Sequence, residues 1–155
     1  MAQALFKIKV HGSGATATRT ELAAGRHRLT VDEPASRGGT DFAASPLETM
    51  LAAFLACTNV IANVAAGDLG LEIESMELEL TGHFDNRGVF AKAPVTVPFP
   101  RIDLAVTVTT EASEAEVQAL GRAVAERCPI SVILRQAGTD VRDTWRRAGA
   151  RRQGR

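Results

Sequence analysis

The stretch over residues 45–67 constrains the fold more than any other part of the chain. Ser45 can cap the first free amides of a helix, Pro46 suits the first helical position, and Glu48 falls where a capping-box carboxylate belongs. Gly67 is a typical helix end. Apolar residues occur on every side of the helical wheel between these limits, which predicts one long helix that the rest of the protein buries.

The same helix has the length of a membrane span. No charged residue occurs over residues 49–67, and roughly 20 apolar residues are enough to cross a bilayer. The segment is rich in alanine rather than leucine, contains Asn59 and Asn63, and lacks flanking clusters of Lys and Arg or an aromatic belt. We therefore expect a buried core helix and no membrane contact.

The composition is that of an ordinary globular protein. With 155 residues, of which 45% are hydrophobic and 23% charged, the chain suits a single domain over residues 1–155. The formal net charge is zero, which gives no reason to expect a nucleic-acid partner. The N-terminus lacks the pattern of a secretion signal, so the sequence predicts a cytoplasmic protein.

The C-terminus differs from the rest of the chain in charge. Six arginines lie within residues 142–155. We interpret the basic tail, about residues 146–155, as a solvated or frayed terminus. A contact with an anion or a nucleic acid is the alternative.

Strand and helix patterns are grouped rather than alternating one by one. Period-2 alternation predicts three strands before the long helix, at residues 4–10, 15–22 and 26–32, with a turn at 11–14. After the helix, the patterns predict strands at 71–84 and from Arg101, helices from Ser113 and at 130–136, and a last strand at 139–146. This grouping predicts an α+β fold.

Cys57 is the first of two cysteines. It lies eleven positions after Pro46, about 16 Å along the helix axis. The helix dipole fades within the first turn, so a cation from elsewhere in the fold would have to assist ionisation of Cys57. Its helix face is apolar and suits either a plain core or a pocket for an apolar substrate, with Met50, Phe54 and Ile61 as the candidate lining.

Cys128 is the second cysteine, and Pro129 follows it directly. The proline ends one helix and leaves the sulfur at a bend of the chain, where a second thiol could move. The two cysteines have no metal-type spacing to other Cys or His residues, so we expect no metal site. Composition alone favours inert core cysteines at both positions.

Together these motifs resemble the OsmC/Ohr family, osmotically inducible protein C and organic hydroperoxide resistance protein. The resemblance rests on Ser-Pro-Leu-Glu at 45–48, Ala-Cys-Thr at 56–58, Cys-Pro-Ile-Ser at 128–131, and the glycine-bearing loop at 32–40. It implies an OsmC-like α+β fold in which antiparallel sheets wrap around the long buried central helix. It also implies an intertwined homodimer with an active site near the subunit interface.

The resemblance further implies a thiol-dependent peroxidase that reduces organic hydroperoxides. Cys57 would attack the hydroperoxide, and Cys128 would resolve the product as a disulfide. An external dithiol reductant would be needed, with no bound cofactor. Arg19 is the match for the arginine that the family places over the thiolate, and Arg37 is its rival.

One position departs from the family pattern. Peroxide-reducing members have Glu directly after the helix-opening proline, where this chain has Leu47. Glu48 lies nine positions before Cys57, on the opposite side of an ideal helix, so we interpret it as a capping residue. Substitutes for the missing carboxylate are available at Asp32, Glu33 and Asp41. The departure keeps a second hypothesis open, a dimeric stress or binding protein that holds a small apolar ligand.

Overall fold

In a computed structural model of the chain, which describes Leu5 and residues 7–149, the elements are grouped as the sequence predicts. They are β1 Val10–Gly14, β2 Thr20–Ala24, β3 His27–Val31, a 3₁₀ helix Ala35–Arg37, α1 Pro46–Leu69, β4 Ser75–His83, β5 Arg101–Thr110, α2 Glu114–Arg127, α3 Pro129–Gln136 and β6 Asp140–Gly149. Two three-stranded sheets form in the described part of the chain, which confirms the α+β prediction. The chain divides into two units, Met1–Ala52 and Ala53–Arg155, and the single-domain assignment stays a prediction.

The first unit holds the antiparallel sheet β1-β2-β3. The predicted first strand, residues 4–10, is wrong over residues 7–9, and β1 instead covers the residues predicted as a turn. Residues 4 and 6 of that predicted strand lie outside the described residues. The chain reverses later, at residues 15–19, where the amide of Ala15 donates to the carbonyl of Arg19 at 2.8 Å. Gly12 faces Leu22 across the pair, and a Cβ at Gly12 would lie 2.8 Å from the Leu22 Cδ2 atom. The glycine therefore serves strand packing rather than a turn.

A buried carboxylate organises the loop that leads to α1. Asp32 is fully buried, and its side chain accepts hydrogen bonds from the Thr40 hydroxyl at 2.5 Å, the Thr40 amide at 3.0 Å and the Phe42 amide at 3.3 Å. These bonds, that of the Thr40 hydroxyl above all, hold the pKa of Asp32 well below its usual range. Gly39 closes the loop, since a Cβ there would lie 1.7 Å from the carbonyl oxygen of Glu33. Asp32 is thus committed to loop structure.

The long helix α1 begins as predicted. The amide of Ser45 donates to the Glu48 carboxylate at 2.7 Å, and the amide of Glu48 donates to the Ser45 hydroxyl at 3.3 Å, which confirms the capping box. The predicted stop at Gly67 is wrong. The helix continues to Leu69 and ends at Gly70, whose φ of 69° is the left-handed conformation of a helix C-terminus.

Burial of α1 within the chain is one-sided. Its buried side consists of Phe54, Thr58, Ala62, Ala65 and Ala66. On the opposite side Val60 is 58% exposed and Val64 49% exposed. By length and composition α1 could cross a membrane, but the core helices of soluble proteins pass the same test.

The second unit holds the mixed sheet β4-β5-β6. Strands β4 and β5 are antiparallel, whereas β5 and β6 are parallel. The parallel pair differs from the antiparallel sheets that were expected, because α2 and α3 carry the chain back to the starting end of β5. The apolar core of this unit includes Ile102, Leu104, Val106, Val108, Val117, Leu120, Val124, Val141 and Trp145, all of which are buried. Of the basic tail, residues 146–149 belong to β6, and 150–155 lie outside the described residues.

Candidate functional site

Cys57 lies on α1 at the border between the buried and the exposed side of the helix. Phe54 and Thr58, its neighbours toward the interior, are 1% and 0% exposed. Val60, its neighbour on the other side, is open to solvent. Cys57 itself is partly exposed. Cys57 therefore has buried core residues on one side and is open to solvent on the other.

Cys128 lies at the corner between α2 and α3. Its amide donates to the carbonyl of Val124 at 2.8 Å, which closes α2, and its carbonyl accepts from the amide of Val132 at 3.0 Å, which opens α3. Pro129 makes the corner because proline cannot continue α2 and fits the first position of α3. The side chain of Cys128 is fully buried.

The structure brings the two predicted cysteines together. Both are free thiols, and they are hydrogen-bonded to each other. Burial, followed by the hydrogen bond and the proximity of the Cys128 thiol, raises the pKa of Cys57. A hydrogen bond from the backbone N–H of Ile130 acts in the opposite direction. The pair is therefore poised for disulfide chemistry but holds Cys57 as a neutral thiol.

The amide of Ile130 is a site group that the sequence analysis missed. It belongs to the first turn of α3, where backbone N–H groups have no partner within the helix. Pro129 has no N–H, so Ile130 supplies the first free donor of the helix. The Cys-Pro sequence was the available signal, because a proline marks the first helical position and the amides that follow it in the first turn have no partner within the helix.

The predicted arginines lie in the first unit. The Arg19 guanidinium lies 5.0 Å from the centre of the Phe42 ring and 3.4 Å from the Glu21 carboxylate. Arg37 forms an ion pair with Glu33. All groups that shift the pKa of Cys57 belong to the second unit, and among the described residues none of them is a cation. The expected lowering of this pKa by an arginine stays a prediction.

The helix-start positions behave as capping chemistry predicts. The hydrogen bonds with Ser45, and then the charge of Arg37, lower the pKa of Glu48. Its carboxylate is thus engaged in the capping box. Leu47, at the position of the family carboxylate, is half-buried.

Of the three residues predicted to line an apolar pocket, Phe54 is buried and the other two are half-buried. Phe54 lines a small cavity of about 10 Å³ in the second unit, together with Thr58, Ser131 and Trp145. Met50 and Ile61 are half-buried on α1. In the described part of the chain, no three His, Cys, Asp or Glu side chains are grouped closely enough to hold a metal ion.

Comparisons with known proteins agree on one family. Residues 38–142 match the family model of OsmC-like protein. None of the curated proteins matches the chain. Among solved structures, the fold is similar to the OsmC-like protein from Mycoplasma pneumoniae, with 19% identity, a TM-score of 0.77, and coverage of 97% of this chain and 99% of that chain.

Two further structures come from proteins of hydroperoxide resistance. One is an organic hydroperoxide resistance protein from Elizabethkingia anophelis, with 18% identity, a TM-score of 0.74, and coverage of 96% of this chain and 100% of that chain. The other is the organic hydroperoxide resistance protein OhrB of Bacillus subtilis, with 22% identity, a TM-score of 0.62, and coverage of 94% and 100%. At these identities the likeness establishes the fold.

The contribution of Cys128 to the raised pKa of Cys57 has a measurable consequence. Only the thiolate reacts with iodoacetamide, so the pH midpoint of Cys57 alkylation reports this pKa. In Cys128→Ala, loss of the hydrogen bond and of the second acidic group should move the midpoint to lower pH. Peptide mass spectrometry across a pH series measures the midpoint in wild type and variant. An unchanged or higher midpoint in Cys128→Ala would contradict the assignment.

Proposed function

The chain belongs to the OsmC-like protein family, and on that premise we propose that it is a cysteine-dependent peroxidase that reduces organic hydroperoxides. The observation that carries the proposal is the hydrogen-bonded pair of free thiols, Cys57 and Cys128. Structural neighbours named as organic hydroperoxide resistance proteins support the same class of substrate. Oxidative-stress defence is the corresponding role.

The proposed reaction uses each thiol once. The Cys57 thiolate attacks the terminal oxygen of the hydroperoxide, the O–O bond breaks, and the alkoxide takes up a proton and leaves as an alcohol. Cys57 is then a sulfenic acid. The Cys128 sulfur attacks the sulfenic sulfur, water leaves, and a Cys57–Cys128 disulfide forms. An external dithiol reductant returns both thiols by exchange.

The first step depends on forming the Cys57 thiolate. The backbone N–H of Ile130 favours the charged form, because a donor to sulfur stabilises the anion more than the thiol. We propose that a cation supplies the remaining stabilisation, with Arg19 as the first candidate and Arg37 as the second. Apolar side chains on the Cys57 face of α1 would favour alkyl hydroperoxides, since burial contributes about 0.8 kcal/mol per CH₂ group.

We also propose that the protein is a homodimer. The supporting observation is the exposed apolar side of α1, which contains Ala53, Ala56, Val60 and Val64. An apolar helix face of this length is typical of an interface rather than of free surface. A second copy of the chain would cover it and would lie beside Cys57.

The same redox chemistry bears on location and partners. We propose a cytoplasmic protein, since a reducing compartment supplies thiol reductants and keeps cysteines free between turnovers. Its partners would be a second copy, the hydroperoxide and the reductant.

Thiol titration tests the peroxidase proposal. Reduced wild-type protein treated with one equivalent of cumene hydroperoxide should lose both free thiols. Cys128→Ser should lose the single remaining thiol, and Cys57→Ser should keep its thiol, because Cys128 lacks access to the peroxide. Survival of both wild-type thiols in excess peroxide would contradict the proposal. It would favour the second hypothesis, a binding protein for a small apolar ligand, to which Leu47 and the raised pKa of Cys57 also point.

Light scattering during gel filtration tests the homodimer. Wild-type protein should elute at twice the 16.5 kDa chain mass. The double variant Val60→Glu with Val64→Glu should elute as a monomer, because two carboxylates cannot be buried unpaired in an apolar interface. Arg122→Glu, a charge reversal at an exposed position of α2, is the matched control and should stay dimeric. A monomeric wild type would refute the homodimer.

A further inference from the structure

The two sulfurs of the candidate site differ in access. Cys57 is partly exposed on α1, whereas the Cys128 side chain is 0% exposed. Cys128 is enclosed by the corner of α2 and α3, where both of its backbone groups are also hydrogen-bonded. Within the chain, solvent therefore reaches Cys57 in part and does not reach the Cys128 side chain.

We propose that the external thiol reductant attacks the Sγ atom of Cys57, not that of Cys128, in the oxidised protein. This inference rests on the proposed function, which supplies the Cys57–Cys128 disulfide. The incoming thiolate forms a mixed disulfide with Cys57, the Cys57–Cys128 bond breaks, and Cys128 leaves with the electron pair as a thiolate and takes up a proton. A second thiol of the reductant then attacks the reductant sulfur that is bonded to Cys57. The reductant forms its own disulfide, and Cys57 is released as a thiol.

Trapping the mixed disulfide tests the inference. Protein oxidised with cumene hydroperoxide is mixed with less than one equivalent of glutathione, so that little second thiol is left to complete the reduction, and quenched with N-ethylmaleimide. Peptide mass mapping should place glutathione on Cys57 and maleimide on Cys128, with a ratio of about 10 to 1 or more over the reverse. Glutathione on Cys128 in equal or greater amount would overturn the inference.

Two controls separate this result from the proposed function. In guanidinium chloride both sulfurs are accessible, so the ratio should fall toward about 1. If cumene hydroperoxide forms no disulfide, the peroxidase proposal fails. The Cys57–Cys128 disulfide can then be formed with diamide, and the same trapping experiment still shows which sulfur the glutathione attacks.

A second, independent feature lies inside the second unit. The Thr58 hydroxyl and the Trp145 indole N–H are both buried, and neither has a hydrogen-bond partner among the described residues. Both residues line the small cavity of about 10 Å³, with Ser131 and Asp143 also on its wall. Trp145 cannot easily turn away, since its ring packs so close to Gly121 that a Cβ there would lie 2.5 Å from Cδ1.

We infer that this cavity binds one ordered water molecule. The volume is near the minimum for a single water, and a buried water needs two to four polar partners. The water would accept a hydrogen bond from the Trp145 Nε1–H group and bond to the Thr58 Oγ1 atom. It would link α1, at the residue after Cys57, to β6.

A high-resolution crystal structure of the reduced protein tests the water site. Wild type and Thr58→Ser should show one density peak within hydrogen-bond distance of both the residue-58 hydroxyl and Trp145 Nε1. In Thr58→Val, which has the same shape but no hydroxyl, the peak should be absent. Absence of the water peak from the wild-type structure, or its presence in Thr58→Val, would overturn the inference.

Discussion

The break at Pro129 is the constraint on which the candidate site depends. Because proline cannot continue α2, the chain turns at Cys128 and restarts as α3. The turn fixes the backbone of Cys128 through bonds to both helices and buries its sulfur against Cys57. It also directs the first free amide of α3, that of Ile130, at the Cys57 sulfur. One residue thus sets the position of the second thiol and the donor for the first.

The electrostatics of the pair oppose ionisation within the second unit. Burial and a hydrogen-bonded thiol neighbour both favour the neutral form of Cys57, and one backbone amide does not offset them. A thiol in this state resists random oxidation and becomes reactive when a positive charge is added. The arginines available for that role lie in the unit that holds β1, β2 and β3. Activation of Cys57 is therefore the step that the groups of the second unit acting on this sulfur do not supply.

Local patterns in the sequence predicted much of the fold. The capping boxes at Ser45 and Ser113 predicted the starts of α1 and α2. The alternation of apolar and polar residues predicted β4, β5 and β6. Each of these patterns reflects contacts within a few residues along the chain. The first strand was misplaced because Gly12 reads as a turn, and only its packing against Leu22 makes it a strand residue.

Non-local features of the fold and site were harder to predict. The parallel pairing of β6, the amide of Ile130 at Cys57 and the one-sided burial of α1 depend on contacts between distant residues. No local pattern encodes such contacts. The cysteine pair was predicted through a family resemblance, and the spacing of Cys57 and Cys128 alone would not have joined them.

The most direct measurement of the central claim is the intact mass of the chain after exposure to an organic hydroperoxide. The protein is denatured without reductant and weighed by mass spectrometry. If Cys57 and Cys128 act as one redox pair, the monomer loses two hydrogens, about 2 Da, and regains them with a dithiol. An unchanged mass, or a gain of oxygen without loss of hydrogen, would contradict the account.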